Sequence, residues 1–264
     1  MIRWVEQVRR QAVRWAGEGV DLLFPPRCVF CRRDLEGDGR PSVAPPAAAG
    51  MCCAACDRDL SPDSVRCLRC GEAAADLGGD GCRRCRGRRL DWGGITVLSG
   101  YGDHLRQAIL RAKHPAGDEV AHVLATMLVR RHRETFAGWR IDGVAPVPMH
   151  WLRRAARGTS AADEIGWTVA RLLGVPFVSA LARFRPTPMQ NELPVHERRG
   201  NVQAAFRLRR RVAGRRLLLV DDVVTTGSTL AACSRTLANG GAESVFAAAL
   251  AKADRSVDDV PRAD

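Results

Sequence analysis

Leu217-Leu218-Leu219-Val220-Asp221-Asp222-Val223-Val224-Thr225-Thr226-Gly227-Ser228-Thr229 is the stretch on which the fold turns. Its four opening apolar residues read as a strand buried on both faces, as in the middle of a parallel sheet. Two carboxylates follow at once, then a turn of threonine, glycine and serine that leads into a helical pattern from Thr229 to Asn239. Open α/β sheets bind ligands at the carboxyl edge of their strands. A turn that offers backbone N–H groups, hydroxyls and a positive helix end suits a phosphate dianion. It is not a Walker A loop, because the Gly-Lys-Ser/Thr element is absent. Asp221 and Asp222 are costly to bury without a use. Such a pair can accept hydrogen bonds from the vicinal hydroxyls of a ribose or help to hold magnesium.

On either side of this stretch the apolar spacing alternates between strand and helix periods. Ser244 to Ala251 and Ile95 to Tyr101 predict strands, His104 to Lys113 a helix, and Glu119 to Phe136 one longer amphipathic helix. The run DGVAPVPM predicts a buried strand that ends in a proline-marked loop. Thr159 to Leu173 is helical again, with Gly174 placed to stop it. Residues 183–203 are less regular. Strand, helix, strand in this order means a doubly wound α/β domain over residues 93–252. The last residues, 253–264, hold too little apolar content to pack and are expected to form a flexible tail.

The segment 27–92 is of another kind, made of loops, Gly/Pro-rich spacers and paired cysteines. The chain has ten cysteines, and a reducing compartment makes metal the default alternative to a disulfide framework. Cys28-x-x-Cys31 pairs with Cys53-x-x-Cys56, and Cys67-x-x-Cys70 with Cys82-x-x-Cys85. Two such knuckles close a tetrahedral four-sulfur zinc site with no open position, so two structural zinc ions are expected. A redox pair would instead sit singly at a helix start in a βαβ setting. Cys52 adjoins Cys53, but Cys53 keeps the two-residue gap; Cys233 reads as a small buried apolar residue. On this reading the module unfolds on chelation while the α/β domain persists.

The 41 lysine and arginine residues against 29 acidic ones leave a formal charge of +12, which favours polyanionic partners. Arginine-rich, lysine-poor usage also follows from a GC-rich genome. Arg66, Arg69, Arg83, Arg84, Arg86, Arg88 and Arg89 crowd the second cysteine set, either as a contact surface for a phosphate backbone or as a solvated basic face. Residues 1–26 predict an amphipathic helix in which arginines interrupt every apolar run, with no transmembrane segment or signal peptide. A cytoplasmic location is expected.

The knuckles, YGDHLRQAILRAK, VAPVPMHWLRRAARG, TPMQNELPVHERRGNVQAAF and LLLVDDVVTTGST resemble, in this order and over nearly the whole chain, the ComF/GntX family of bacterial phosphoribosyltransferase-domain proteins. The resemblance implies an α/β type I phosphoribosyltransferase fold, a parallel sheet flanked by helices, behind a cysteine-rich zinc module. It implies that Asp221 and Asp222 are the catalytic pair and hold the ribose, and that Val223, Val224, Thr225, Thr226, Gly227, Ser228 and Thr229 bind the substrate, with Thr225 to Thr229 around the 5'-phosphate. His150, Arg153 and Arg157 would face the diphosphate, and Gln190 lies in a long loop that would fold over the substrate. Where the family usually has RGFNQA this chain has RGTSAA, Arg157 to Ala162, so Ser160-Ala161 replaces Asn-Gln.

Three functions are consistent with these residues. One is a phosphoribosyltransferase that takes phosphoribosyl diphosphate with magnesium, its acceptor unassigned. The second, which the family name implies, is a DNA-uptake protein that binds single-stranded DNA and meets the uptake machinery. The third is a nucleotide-sensing regulator on the same fold.

Overall fold

A computed structural model of the chain describes residues 26–35, 51–62, 64–74, 80–149, 160–184 and 205–253. The expected N-terminal helix over 1–26 and the tail over 253–264 lie outside these residues, save for one end residue of each. The chain divides into two compact units, residues 1–57 and 58–264. In the smaller one Arg27 and Asp34 bridge across the turn that carries Cys28 and Cys31. The N–H of Val29 donates to the carbonyl of Met51 at 2.8 Å. A short helix, α1 (Ala54–Leu60), starts directly after Cys53.

The larger unit carries the α/β layers. Its elements are β1 (Ile95–Gly100), α2 (Asp103–Ala112), α3 (Asp118–Arg131), α4 (Arg133–Trp139), β2 (Gly143–Pro146), α5 (Ala161–Leu173), β3 (Leu181–Arg183), β4 (Phe206–Leu208), β5 (Arg216–Val224), α6 (Ser228–Asn239) and β6 (Ser244–Lys252). Four strands form a parallel sheet in the order β1-β6-β5-β2. Leu217 to Val220 of β5 are fully buried. Each contributes about 1.5–3 kcal/mol relative to an exposed side chain.

Alternation along the strands decides what each face meets. Ile95, Val97, Ala145, Leu217, Leu219, Val245 and Ala247 share a core with Leu230, Cys233 and Leu237 of α6 and with Leu181 and Phe206. The residues between them, Leu98, Leu218 and Leu250 among them, are buried on the side where α3 and α5 pack. Small side chains at Ala247, Ala248, Ala249 and Ala251 let helices approach β6 from both sides.

Two features differ from the sequence-based expectation. The long helix expected over 119–136 breaks into α3 and α4 at His132, whose backbone leaves the helical region at φ −112° and ψ 23°. The His132 ring nitrogen Nε2 lies 2.9 Å from the carbonyl oxygen of Val97, so the break turns this residue onto β1. The irregular stretch 183–203 is bracketed by a two-stranded antiparallel ribbon in which Leu181 faces Leu208 and Arg183 faces Phe206.

Candidate functional site

The strand β5 runs four residues further than its apolar run, to Val224, because Val223 and Val224 stay in register with Ala251 and Lys252 of β6. Asp221 and Asp222 are therefore strand residues at the carboxyl edge of the sheet. The two carboxyls have different surroundings. Asp222 Oδ2 lies 2.8 Å from Nζ of Lys113, which is delivered by the C-terminal end of α2. Asp221 receives the backbone N–H of Asp222 on Oδ1 at 2.9 Å. Burial first, and the charge of Asp222 second, push its pKa up to about 8, against the opposing pull of that N–H, Lys113 and Arg183. The site thus pairs one carboxyl with lysine and holds the other well above the ordinary carboxylate range.

This difference has a thermodynamic consequence. An aspartate raised from 3.8 to about 8 binds a proton in the folded state that the unfolded chain has lost. Stability must fall as pH rises through that window. The unliganded protein is expected to melt at progressively lower temperature from pH 5 to pH 8, and Asp221→Asn to remove most of that decline. Thermal unfolding of both proteins across that range checks it, and parallel melting curves would contradict it.

After Val224 the chain turns through Thr225, Thr226 and Gly227 into α6. Gly227 has φ +78°, a left-handed conformation natural to glycine, and precedes the first helical residue. Thr226 Oγ1 accepts the N–H of Ser228 at 3.4 Å and donates to Ser228 Oγ at 3.0 Å. From the far side Lys252 Nζ donates to the carbonyl of Thr225 at 2.7 Å. The turn is thus a short hydroxyl-rich loop ahead of a helix N-terminus, an arrangement that can hold a phosphate group.

The cysteines gather as spaced. Cys28, Cys31, Cys53 and Cys56 form one group in the smaller unit; Cys67, Cys70, Cys82 and Cys85 form another in the larger unit. The sulfur separations are 3.7 Å for Cys31 and Cys53, 3.7 Å for Cys67 and Cys85, 3.6 Å for Cys70 and Cys82, and 3.8 Å for Cys82 and Cys85. A tetrahedron with zinc–sulfur bonds of 2.3 Å has edges of about 3.8 Å, so both groups fit such an ion. Burial pushes the Cys28 and Cys67 thiols up, but backbone N–H groups outweigh it and bring them to about 6 and about 7. Burial raises Cys52 far above the ordinary thiol range, and its sulfur bonds the Cys53 carbonyl at 3.4 Å, outside the group.

Comparison with known proteins places this arrangement. The phosphoribosyl transferase domain family matches residues 162–262. DNA utilization protein YhgH from Escherichia coli is 32% identical over 230 residues, covering 85% of this chain and 96% of that one. The chain belongs to the ComF family. Competence protein F from Haemophilus influenzae is 28% identical over 240 residues, 88% of this chain and 99% of that one. Among solved structures, APRTase from Giardia lamblia is 22% identical with a TM-score of 0.34, covering 50% of this chain and 67% of that one.

Within this ComF-family chain Asp221 to Thr229 come together at one sheet edge, whereas His150, Arg153, Arg157 and Gln190 lie outside the described residues. Ser160, at the family's Asn-Gln position, caps α5 by accepting the N–H of Asp163 at 3.4 Å. Arg66 donates to the carbonyl of Gly71 and Arg69 reaches across to that of Arg88, and Arg83, Arg84, Arg86, Arg88 and Arg89 lie together in the other knuckle of this group, with Arg88 donating to the carbonyl of Arg84. Arg183 of the ribbon acts on Asp221 and carried no signal in the sequence. Lys252 was equally missed, yet a signal existed. The chain contains only two lysines, Lys113 and Lys252, and both sit at this edge. In a sequence that uses arginine almost everywhere else, those two positions ask for a compact ammonium.

Proposed function

We propose that this protein binds phosphoribosyl diphosphate with magnesium at the end of β5 and transfers the phosphoribosyl group to a nitrogen nucleophile. The reading rests above all on the unlike carboxyl pair beside the hydroxyl-rich turn. Asp221, whose pKa is pushed up, can donate as well as accept, and Asp222 beside Lys113 can accept, so the pair can meet two neighbouring ribose hydroxyls. With Asp222 held by Lys113, the pair suits sugar binding better than a carboxylate cage for a free cation, so magnesium would come bound to the diphosphate and would supply charge neutralisation there. A C1–N bond forms as the bond from C1 to diphosphate oxygen breaks, and the carboxyl pair steadies the ring while positive charge develops on it. His150, Arg153 and Arg157 are proposed to face the diphosphate and Gln190 to close over it. Both cysteine groups are proposed to hold structural zinc, and thiolate ligation supports the reading of a reducing, cytoplasmic location.

Diphosphate release, measured with phosphoribosyl diphosphate and a panel of nucleobases, tests the transfer. One productive base is expected at turnover well above the no-base control. Binding without turnover on any base would leave the nucleotide-sensing regulator in its place.

A second reading is favoured by the names of the relatives and by a cavity of about 360 Å³ whose lining includes Arg83, Arg84, Arg88, Trp92, Thr225 and Gly227. Arginines beside a phosphate-holding turn suit the backbone of single-stranded DNA. Weak binding without sequence preference is expected, and replacing Arg83, Arg84, Arg86, Arg88 and Arg89 by serine should cost roughly tenfold or more at low salt. A gel shift at two salt concentrations measures it. No shift at low salt, or an unchanged one in the variant, would leave the basic cluster a solvated face.

A further inference from the structure

We propose that the second cysteine group sets the shape of the phosphate-holding turn, with Glu72, Lys252 and Trp92 as positioning residues. The inference rests on the ligand reading above and adds to it what controls that site.

Two anchors run from the knuckle to the turn, and both begin within two residues of Cys70. The first starts at Gly71, which the knuckle folds into a left-handed conformation, φ +82°, and ties back through its N–H to the carbonyl of Cys67 at 2.7 Å. Glu72 follows and is buried. Its Oε1 lies 2.9 Å from Lys252 Nζ. The same ammonium donates to the carbonyls of Thr225 at 2.7 Å and Ala253 at 2.9 Å. Three donors thus meet three acceptors, which is the full capacity of a lysine and a geometry that a planar guanidinium does not match.

The second anchor starts at Arg69, whose carbonyl accepts the indole N–H of Trp92 at 2.9 Å. The Trp92 ring lies against Gly227, where a Cβ would come within 3.0 Å of its Cη2. The anchors therefore bracket the turn at Thr225 and Gly227. Because the peptide unit is planar, fixing the Thr225 carbonyl also fixes the direction of the Thr226 N–H, which points the opposite way. That N–H is one of the donors the turn would offer to a phosphate.

A buried ion pair is a poor device for stability, since apolar replacements of similar volume often do as well or better. Its presence here is explained by position. The same property makes the test selective, because Glu72→Leu with Lys252→Met removes the anchor and leaves no unpaired buried charge.

Calorimetric titration of the full metal-loaded chain with ribose 5-phosphate, which reports the phosphate grip alone, and with phosphoribosyl diphosphate and magnesium decides the matter. The double variant is expected to keep two metal ions per chain and the melting temperature of the unliganded protein, yet to bind both ligands at least ~10-fold more weakly. Trp92→Phe, which loses the bond to Arg69 and draws the ring back from Gly227, is expected to weaken both severalfold and supplies the answer should the double variant not fold. Affinities within twofold of wild type in the folded variants would overturn the inference and leave the ligand reading standing. A wild-type protein that binds neither ligand would overturn the ligand reading, and this inference with it.

Discussion

Replacing Asp221 and Asp222 together with asparagine is expected to weaken phosphoribosyl diphosphate binding by at least ~100-fold, because hydrogen bonds to charged groups contribute about 1.5–3 kcal/mol each and the Lys113-paired Asp222 can accept more than one from the ribose. The variant should become a plain phosphate binder. The turn from Thr225 to Ser228 would still hold the 5'-phosphate, while the ribose would lose the groups that distinguish it from inorganic phosphate. The fold should survive. Asparagine has nearly the same shape as aspartate, and Lys113, which loses its partner, remains about one quarter exposed at 23% and can be solvated. Calorimetry with and without magnesium measures the effect, with circular dichroism as the folding control. A variant that binds as tightly as wild type, or a wild type with no response at millimolar ligand, would remove the basis for the site assigned here.

Metal removal is the second large effect. Two zinc ions per chain are expected, and a four-thiolate site contributes on the order of 10–16 kcal/mol when loaded, comparable with the whole stability of a domain. Reading the sequence alone predicts that chelation unfolds the cysteine segments and spares the α/β domain. The structure changes that expectation for the second group. The N–H of Ile95, at the start of β1, donates to the carbonyl of Leu68 at 2.7 Å, and Glu72 pairs with Lys252 at the end of β6. Loss of that metal should therefore lower the melting temperature of the larger unit as well. Metal analysis and calorimetric melting of wild type, chelated protein and Cys67→Ser decide it. Near-zero zinc in the native protein, or a Cys67→Ser variant with two zinc ions and unchanged melting, would refute the assignment.

The strand at Leu217 to Val220, the turn after it and the four cysteine knuckles were all determined by the sequence by itself. Each is local: a run of apolar residues, a glycine two residues before the helical pattern at Thr229, two thiols three positions apart. Local spacing translates directly into backbone geometry, so these elements are legible without knowing what lies against them. The β3–β4 ribbon was not legible, since three-residue strands separated by an irregular segment carry too little periodicity, and their pairing is settled only by the core they cover. The break at His132 has the same origin, because apolar spacing continues through it and only the Val97 carbonyl explains it.

What the tertiary structure alone decided is the character of the site. Two adjacent aspartates look equivalent in a sequence, and only packing gives one of them Lys113 and the other a desolvated setting that raises its pKa, with Arg183 acting against that rise. Glu72 and Lys252 stand far apart along the chain. They meet because β6 lies beside β1, where the second knuckle packs. Charge pairing and desolvation depend on distance in space, which spacing along a chain does not encode. Composition nevertheless carried a trace of it, in two lysines kept where a planar guanidinium would not serve.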